Sequence, residues 1–446
     1  MHKEKGGILG EISFYNHDLM GVLEFLKCLN LKNQGGISMK RIVLVSVFLL
    51  VTVVLIFSKT LTLWTIYSET TTEYKRLIDY TNEFTSMTNV TIEIVPIPDL
   101  TDLDTKLRVA APLGQGPDII ATAPHDQIGR WAEMQLLMPL DGIVSRQILN
   151  NFTDSSIRAV TYKGNIYGLP LSVESIGMVY NKDLVDAPPE NWDEIIELSK
   201  SLKSQGIYGI VFPAVEPYHS YAIIRGFGSY IFHWENGEYN VNDIGMNNQG
   251  AIEAIKFIKQ LFNDGILPPE LMDRTATHSF TTGSFEEGKA AIQLNGPWVL
   301  PGVKERGINY GVSKIPTLPN GEDPKPFLGV QFIGINNFSK NKEEALELAL
   351  FLTSKEKMID FSLSSDRVPS RIDVINDPAI QNNEIIKGWA EQSIVAEPMP
   401  NIPEMNVVWT AWADALPLMY SGKQPIEDTL NDLARAIKEK IGVLKR

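Results

Sequence analysis

The sequence predicts an α/β protein of two lobes, each discontinuous in sequence and built on a mostly parallel sheet, with a hinge between them. Three observations carry this expectation. The chain alternates β-branched apolar runs with amphipathic periodic segments. Two long, extended and nearly uncharged stretches, IYGLPLSVESIGMVYN (Ile166–Asn181) and PFLGVQFIGIN (Pro326–Asn336), suit strands that pass from one domain into another. A length of 446 residues is enough for two domains of ordinary size.

The elements follow in order. LTLWTI (Leu61–Ile66) reads as a first strand, and Glu73–Thr88 as a helix with apolar positions at Tyr74, Leu77, Ile78, Phe84 and Met87. Val90–Ile97 is a second strand, Leu103–Ala111 a second helix and PDIIAT a third strand. This β-α-β-α-β opening predicts a parallel sheet with helices on both faces. Trp192–Gln205 is a helix starting after PPEN, and Gly209–Phe212 is a short strand. Gly250–Asn263 is strongly periodic and stops before Gly265, a good helix terminator. Lys342–Thr353 and Glu427–Val443 are further amphipathic helices. Trp192 and Trp234 read as core residues.

The amino-terminal part is of another kind. MKRIVLVSVFLLVTVVLIFSKT has two basic residues, Lys40 and Arg41, ahead of an apolar run, Ile42–Phe57. Residues 39–58 are read as a secretory signal or, if uncleaved, an amino-terminal membrane anchor. Gln34 to Met39 back-translates to a sequence containing AAGGAGG, a bacterial ribosome-binding site a short spacer before an ATG. Met39 is therefore the favoured start, and residues 1–38 are read as a translated leader. The expected location is periplasmic or extracellular.

Composition removes several function classes. Apolar content of 44% and charged content of 21% describe a globular protein, and a net charge of -14 argues against a nucleic-acid partner. A single cysteine, Cys28, excludes an internal disulfide and a thiolate metal cluster. Six histidines show no metal-ligand spacing, so neither metal nor cofactor is expected.

The stretch GQGPDIIATAPHDQIGRW (Gly114–Trp131) poses the main chemical question. A phosphate loop would need its glycines after a strand, opening a helix; here Gly114 and Gly116 precede the strand and read as a turn. His125 and Asp126 could form a catalytic dyad, but no nucleophile motif accompanies them. They could bind a metal, but neighbouring ligands are missing. Asp126 could also cap the helix after it. Finally, the loop leaves the carboxyl end of a strand, where open α/β sheets bind ligands.

Eight motifs in register point to one family: GPDII followed by HD, VESIGMVYNKDL, EPY, WENGEYNVNDIG, LNGPW, NYGV, KPFLGV and MPNIPEM with a later VW. Over Leu61–Val443 the chain resembles the maltose/maltodextrin-binding proteins, the extracellular solute-binding subunits of carbohydrate ABC importers. The resemblance implies a two-lobed periplasmic-binding-protein fold with a sugar cleft between the lobes. It implies a first lobe of residues 59–173 and 331–367, and a second of 174–330 and 368–446. It also implies a monomer that binds an α-glucoside oligosaccharide and docks on membrane permease subunits, without turnover. Carried over to this chain, the ligand-binding residues are Asp126 and Glu174 from the first lobe. From the second come Glu216, Tyr218, Trp298 and Trp409, with Met399 lining the same cleft. Carboxylates accept paired sugar hydroxyls, and aromatic rings cover the C–H faces.

The chain departs from the family in places. The Asp-Lys pair that can follow the first strand's Trp is absent after Trp64, and the aromatic residue before HD is replaced by Thr122-Ala123-Pro124, with one extra residue. Ser68, Glu69, Gln127, His219, His278 and Tyr310 are candidates to fill the vacated polar positions. Trp412, three residues after Trp409 on an expected helix, is a candidate second stacking surface. The rival class is a secreted glycoside-acting enzyme using Asp126, Glu174 and Glu216 as its acid and base or nucleophile.

Overall fold

The computed structural model describes residues 59–235 and 238–444; the leader and the apolar segment expected at 1–38 and 39–58 lie outside them. The described residues belong to one compact unit and build two main sheets. No helix among them is long and apolar enough to cross a membrane.

In the first sheet, β1 (Thr60–Thr65) lies between β2 (Thr91–Pro96) and β3 (Ile119–Pro124), and all three run parallel. The helices Thr72–Thr88 and Leu100–Ala110 connect them. Thr71 caps the first by accepting from Tyr74 N–H at 3.2 Å, and Asp99 caps the second through Asp102 N–H at 2.9 Å. The hairpin of β4 (Thr161–Tyr162) and β5 (Asn165–Ile166) comes next. The sheet is then completed by β6 (Leu169–Glu174), β13 (Phe327–Ile335) and β14 (Val368–Pro369), in the order β14-β6-β13-β3-β1-β2. β13 is antiparallel to both β3 and β6, and β15 (Glu397–Pro398) joins its start in parallel. All nine residues of β13 are buried, as expected for a strand covered on both faces.

The second sheet has the order β12-β7-β11-β8, made of β7 (Gly177–Asn181), β8 (Tyr208–Val211), β11 (Ala290–Asn295) and β12 (Tyr310–Ser313). Only β8 and β11 are parallel. The helices Trp192–Leu202, Pro217–Gly226, Gln249–Asn263, Met405–Tyr420 and Ile426–Leu444 surround this sheet and each other. A small hairpin, β9 (His233–Glu235) with β10 (Glu238–Asn240), stands apart from it.

The expectation of mostly parallel sheets is therefore corrected. Parallel pairing is confined to the strands that a helix connects, since a parallel neighbour requires a crossover. The strands at the passages, β6 and β13, pair antiparallel with each other, and β13 also with β3, whereas β15 joins β13 in parallel. Ile166–Asn181 is two strands, not one: β6 belongs to the first sheet and β7 to the second, with only Ser175 and Ile176 between them. The other passage falls just before β13, where Lys325 N–H still bonds the Ala222 carbonyl at 2.9 Å. The helix Glu384–Val395 packs on β7 and β12 and touches β6 and β14, which makes a third link.

Candidate functional site

β3 ends at Pro124, and a single 3-10 turn, His125–Gln127, leads into the helix Ile128–Glu133. The register between β3 and β13 slips at Thr122, which is left unpaired as a β-bulge. A bulge re-aims the residues beyond it, and in this strand those are His125 and Asp126.

His125 is fully buried and belongs to the scaffold. Its Nδ1 accepts from Val330 N–H at 3.0 Å, which leaves Nε2–H to donate to the Met399 carbonyl at 3.0 Å. Burial pulls its pKa down to about 4, so the ring is neutral. It ties the end of β3 to β13 and to the segment after β15. Close packing of the next helix completes the joint, since a Cβ added at Gly129 would stand 2.2 Å from the Asn401 carbonyl oxygen. The dyad and metal readings of His125–Asp126 therefore end here, and among the described residues no group of three or more metal-ligating side chains occurs.

Asp126 is partly exposed. Its Oδ2 accepts from Gln127 Nε2 at 3.0 Å, whereas its shielded Oδ1 has no partner in the protein. Burial raises its pKa to about 7, and the Gln127 amide together with the backbone N–H groups of Asp126 and Gln127 only partly counters this. Neither the 3-10 turn nor the helix after it is capped by a side chain, so the capping role considered for Asp126 is absent. Glu174 ends β6, opposite Gly329 of β13. Its Oε1 accepts from Gln331 Nε2 at 2.8 Å, and its Oε2 pairs with the buried Arg367. Along β13, Phe327 lies 5.8 Å from Tyr218, Gly329 is opposite Glu174 and Val330 bonds His125, the neighbour of Asp126, so these groups gather at one end of that strand.

Tyr218 lies in the first turn of the helix Pro217–Gly226, which Pro217 opens. Glu216 precedes that helix, partly exposed, and its side chain makes no capping bond. From Tyr218 a line of rings extends: Trp298 at 6.0 Å on one side, Phe327 at 5.8 Å on the other, and Trp409 at 5.7 Å from Phe327. Trp298 follows β11 and is 39% exposed, with Nε1–H donating to Asn295 Oδ1 at 2.9 Å. Gly296 is required there, because a Cβ would stand 2.1 Å from the indole. His219 points its Nε2 at the same Asn295 oxygen at 3.3 Å and lies 5.1 Å from the exposed His278, ring to ring. Burial first, then His278, lowers His219 to about 3, and its Nδ1 has no partner.

The remaining candidates are dispersed. Met399 is buried and contributes its carbonyl to His125. Tyr310, on β12, stands beside Lys304, which pairs with Asp366. Glu69 is exposed on the loop before the helix Thr72–Thr88, next to Ser68, whose hydroxyl meets Thr70 Oγ1 at 3.2 Å. Trp412 is 2% exposed and meets Tyr221 edge-on at 5.8 Å, so it is core and not a second stacking surface. Trp192 is core as expected, but Trp234 is 39% exposed under the Arg158 guanidinium, 5.1 Å from the ring centre. Two cavities of about 370 and 540 Å³ flank this hairpin and share Arg158, Trp234, Tyr239 and Pro398; neither is lined by Asp126, Glu174 or Trp298.

Sequence reasoning did not single out Arg367, Glu73, Gln331, Asn295, Phe327 or Tyr221. Phe327 lies inside the KPFLGV motif and stacks on Tyr221 at 3.8 Å, so a signal existed for it. Arg367 carries no local pattern, because its partners are 294 and 193 residues away.

Comparison with known proteins bears on this arrangement. Residues 79–388 match the family described as bacterial extracellular solute-binding protein. The galactooligosaccharide-binding protein of Bacillus subtilis (strain 168) is 35% identical over 79% of this chain and 83% of its own length. The maltodextrin-binding protein of the same organism is 31% identical over 79% of this chain and 84% of its own. A crystal structure of a cyclo/maltodextrin-binding protein complexed with maltotetraose is similar with a TM-score of 0.76 and 33% identity, covering 86% of this chain and 97% of that one.

Proposed function

The chain belongs to the bacterial extracellular solute-binding protein family, and on that premise we propose that it captures maltose, maltotriose or a maltodextrin between two lobes and delivers it to the permease of an ABC transporter. The observation that carries the sugar reading is the shielded Asp126 Oδ1, without a hydrogen-bond partner, gathered with Glu174 at the end of β13 beside the rings of Trp298, Tyr218, Phe327 and Trp409. A buried acceptor without a protein donor is costly, and a sugar hydroxyl at the site would supply one. A pyranose supplies hydroxyl donors for carboxylates and apolar faces for rings.

In this reading the expected lobe bounds move slightly, because β6 through Glu174, all of β13 from Phe327, and β14 at Val368–Pro369 belong to the first sheet and so to the first lobe. The sugar favours the closed form because only there do both lobes touch it. The closed monomer docks on the permease pair at the outer face of the membrane. Relatives named as binding proteins support binding without turnover. A second reading, a galacto-oligosaccharide as the ligand, is favoured by the 35% identity to the galactooligosaccharide-binding protein and uses the same hydroxyl and ring chemistry.

A thermal-shift screen with maltose, maltotriose, longer maltodextrins, trehalose and galacto-oligosaccharides tests the proposal, since a tight ligand raises the unfolding midpoint by mass action. A maltodextrin giving the largest shift supports the first reading, and a galacto-oligosaccharide giving it supports the second. Incubation with maltotriose should yield no cleavage product; product formation would revive the glycosidase class.

A further inference from the structure

Arg367 lies outside every motif singled out in the sequence, yet it is the most heavily paired cation at the site. It is 7% exposed, and its Nε donates to Glu73 Oε1 at 3.0 Å, with Nη2 also 3.0 Å from that oxygen. Nη1 faces the other way and pairs with Glu174 Oε2. Glu73 is itself 7% exposed, in the first turn of the helix Thr72–Thr88. One guanidinium thus sits between two carboxylates, the buried Glu73 behind it and the partly exposed Glu174 at the site.

The acceptor inventory of Glu174 gives this arrangement a function. An ionised carboxylate has about four lone-pair sites. Arg367 takes one on Oε2 and Gln331 Nε2 takes one on Oε1, at 2.8 Å. One site on each oxygen remains, which is the set that two adjacent hydroxyls of one ring would fill. Glu174 stands opposite Gly329, two residues from the Phe327 that packs 5.8 Å from Tyr218, so the carboxylate lies at the Tyr218 end of β13. The loop that carries Arg367 is also held from the other sheet. Asp366, in a left-handed conformation at φ 55°, pairs with Lys304 on the helix Leu300–Glu305, directly after Trp298 and Val299.

We infer that Arg367 is a positioning residue for sugar capture: held from behind by Glu73, it fixes the Glu174 carboxylate with two acceptor sites directed at a pair of neighbouring sugar hydroxyls. The inference rests on the sugar reading above. It requires the planar fork, because a lysine carries the charge but cannot bind both carboxylates in fixed geometry.

Titration calorimetry of the full-length protein with maltotriose tests it, using wild type, Arg367→Lys, Glu73→Gln, Glu174→Gln and the doubles of the first two with Glu174→Gln. Arg367→Lys should weaken binding at least tenfold and Glu73→Gln several-fold, since Glu73 reaches Glu174 only through Arg367. Both losses should nearly vanish in the Glu174→Gln background, because each acts through that carboxylate. A purely structural role would leave the losses independent of Glu174. Wild-type affinity in both single variants, or losses that persist undiminished beside Glu174→Gln, would overturn the inference. Should Arg367→Lys fail to fold, Glu73→Gln and its double decide. A wild type that binds no sugar would instead remove the sugar reading, and the inference with it.

Discussion

Asp126 and His125 are adjacent, yet proton linkage drives them in opposite directions. Asp126 has a pKa of about 7 because burial penalises its charge, whereas sugar hydroxyls favour the ionised form. Affinity for the sugar should therefore rise with pH up to about 7 and level off above it. Below 7 the loss should approach about tenfold per pH unit. Asp126→Asn should flatten the profile, and calorimetry at pH 5.5, 6.5 and 8 reads both. The neutral His125 has a pKa of about 4, below its ordinary 6.5. Its contribution to stability is complete above pH 6.5 and is lost as pH falls through 4, by about 1.4 kcal/mol per unit. Asp126 has the opposite slope, so wild type alone would hide both. The advantage of wild type over His125→Gln in urea unfolding should shrink steadily from pH 6.5 to 4.

Trp298 separates binding from stability. Being 39% exposed, it can be truncated without opening the core. Trp298→Ala should weaken maltotriose binding by about 2 kcal/mol or more, roughly thirtyfold, with little change in the sugar-free unfolding midpoint. Glu174→Ala is less clean, because it leaves Arg367 buried with one carboxylate instead of two, and breaking a buried pair costs about 3–5 kcal/mol. The roles proposed for Trp298 and Asp126 come from the family resemblance; the exposure of Trp298 was legible from its place after Gly-Pro at a strand end. The buried partners of Glu174 were not, because a residue's need for a counter-ion gives no hint of where in the chain that ion lies.

At the scale of elements, the strongly periodic helices were legible to within a turn: Thr72–Thr88, Gln249–Asn263 and Ile426–Leu444 carry one apolar stripe each. The helix Pro217–Gly226 was missed because eight of its ten residues are buried, so it has no polar face to mark a period. The direction of the travelling strands was also illegible, since β6 and β13 are apolar on both faces whichever way they run. The Lys304–Asp366 pair joins an element after β11 to one before β14. Asp366→Asn preserves the left-handed turn, which Asn tolerates, and removes only the charge. Because Lys304 is half exposed, the effect should be modest: sugar affinity lower by about twofold to fivefold at low salt, with the difference gone at high salt.

For the whole molecule, the two-sheet α/β plan was readable from the order of strands and helices and from the two uncharged stretches. The family was readable from eight short motifs rather than from any one residue. The identity of the sugar was less legible, because it turns on the polar groups of the first sheet, where Gln127 donates to Asp126 and Arg367 pairs with Glu174 across a long sequence separation. The central claim is that this polar set and the aromatic line act on one sugar held between two sheets. The most direct measurement is calorimetric titration of maltotriose into wild type, Trp298→Ala and Asp126→Asn at pH 8. The account predicts one site per chain in wild type and severe weakening by each substitution, since each removes one wall of the cleft. Wild-type affinity in both variants, or no binding of maltotriose, maltodextrin or galacto-oligosaccharide to wild type, would contradict it.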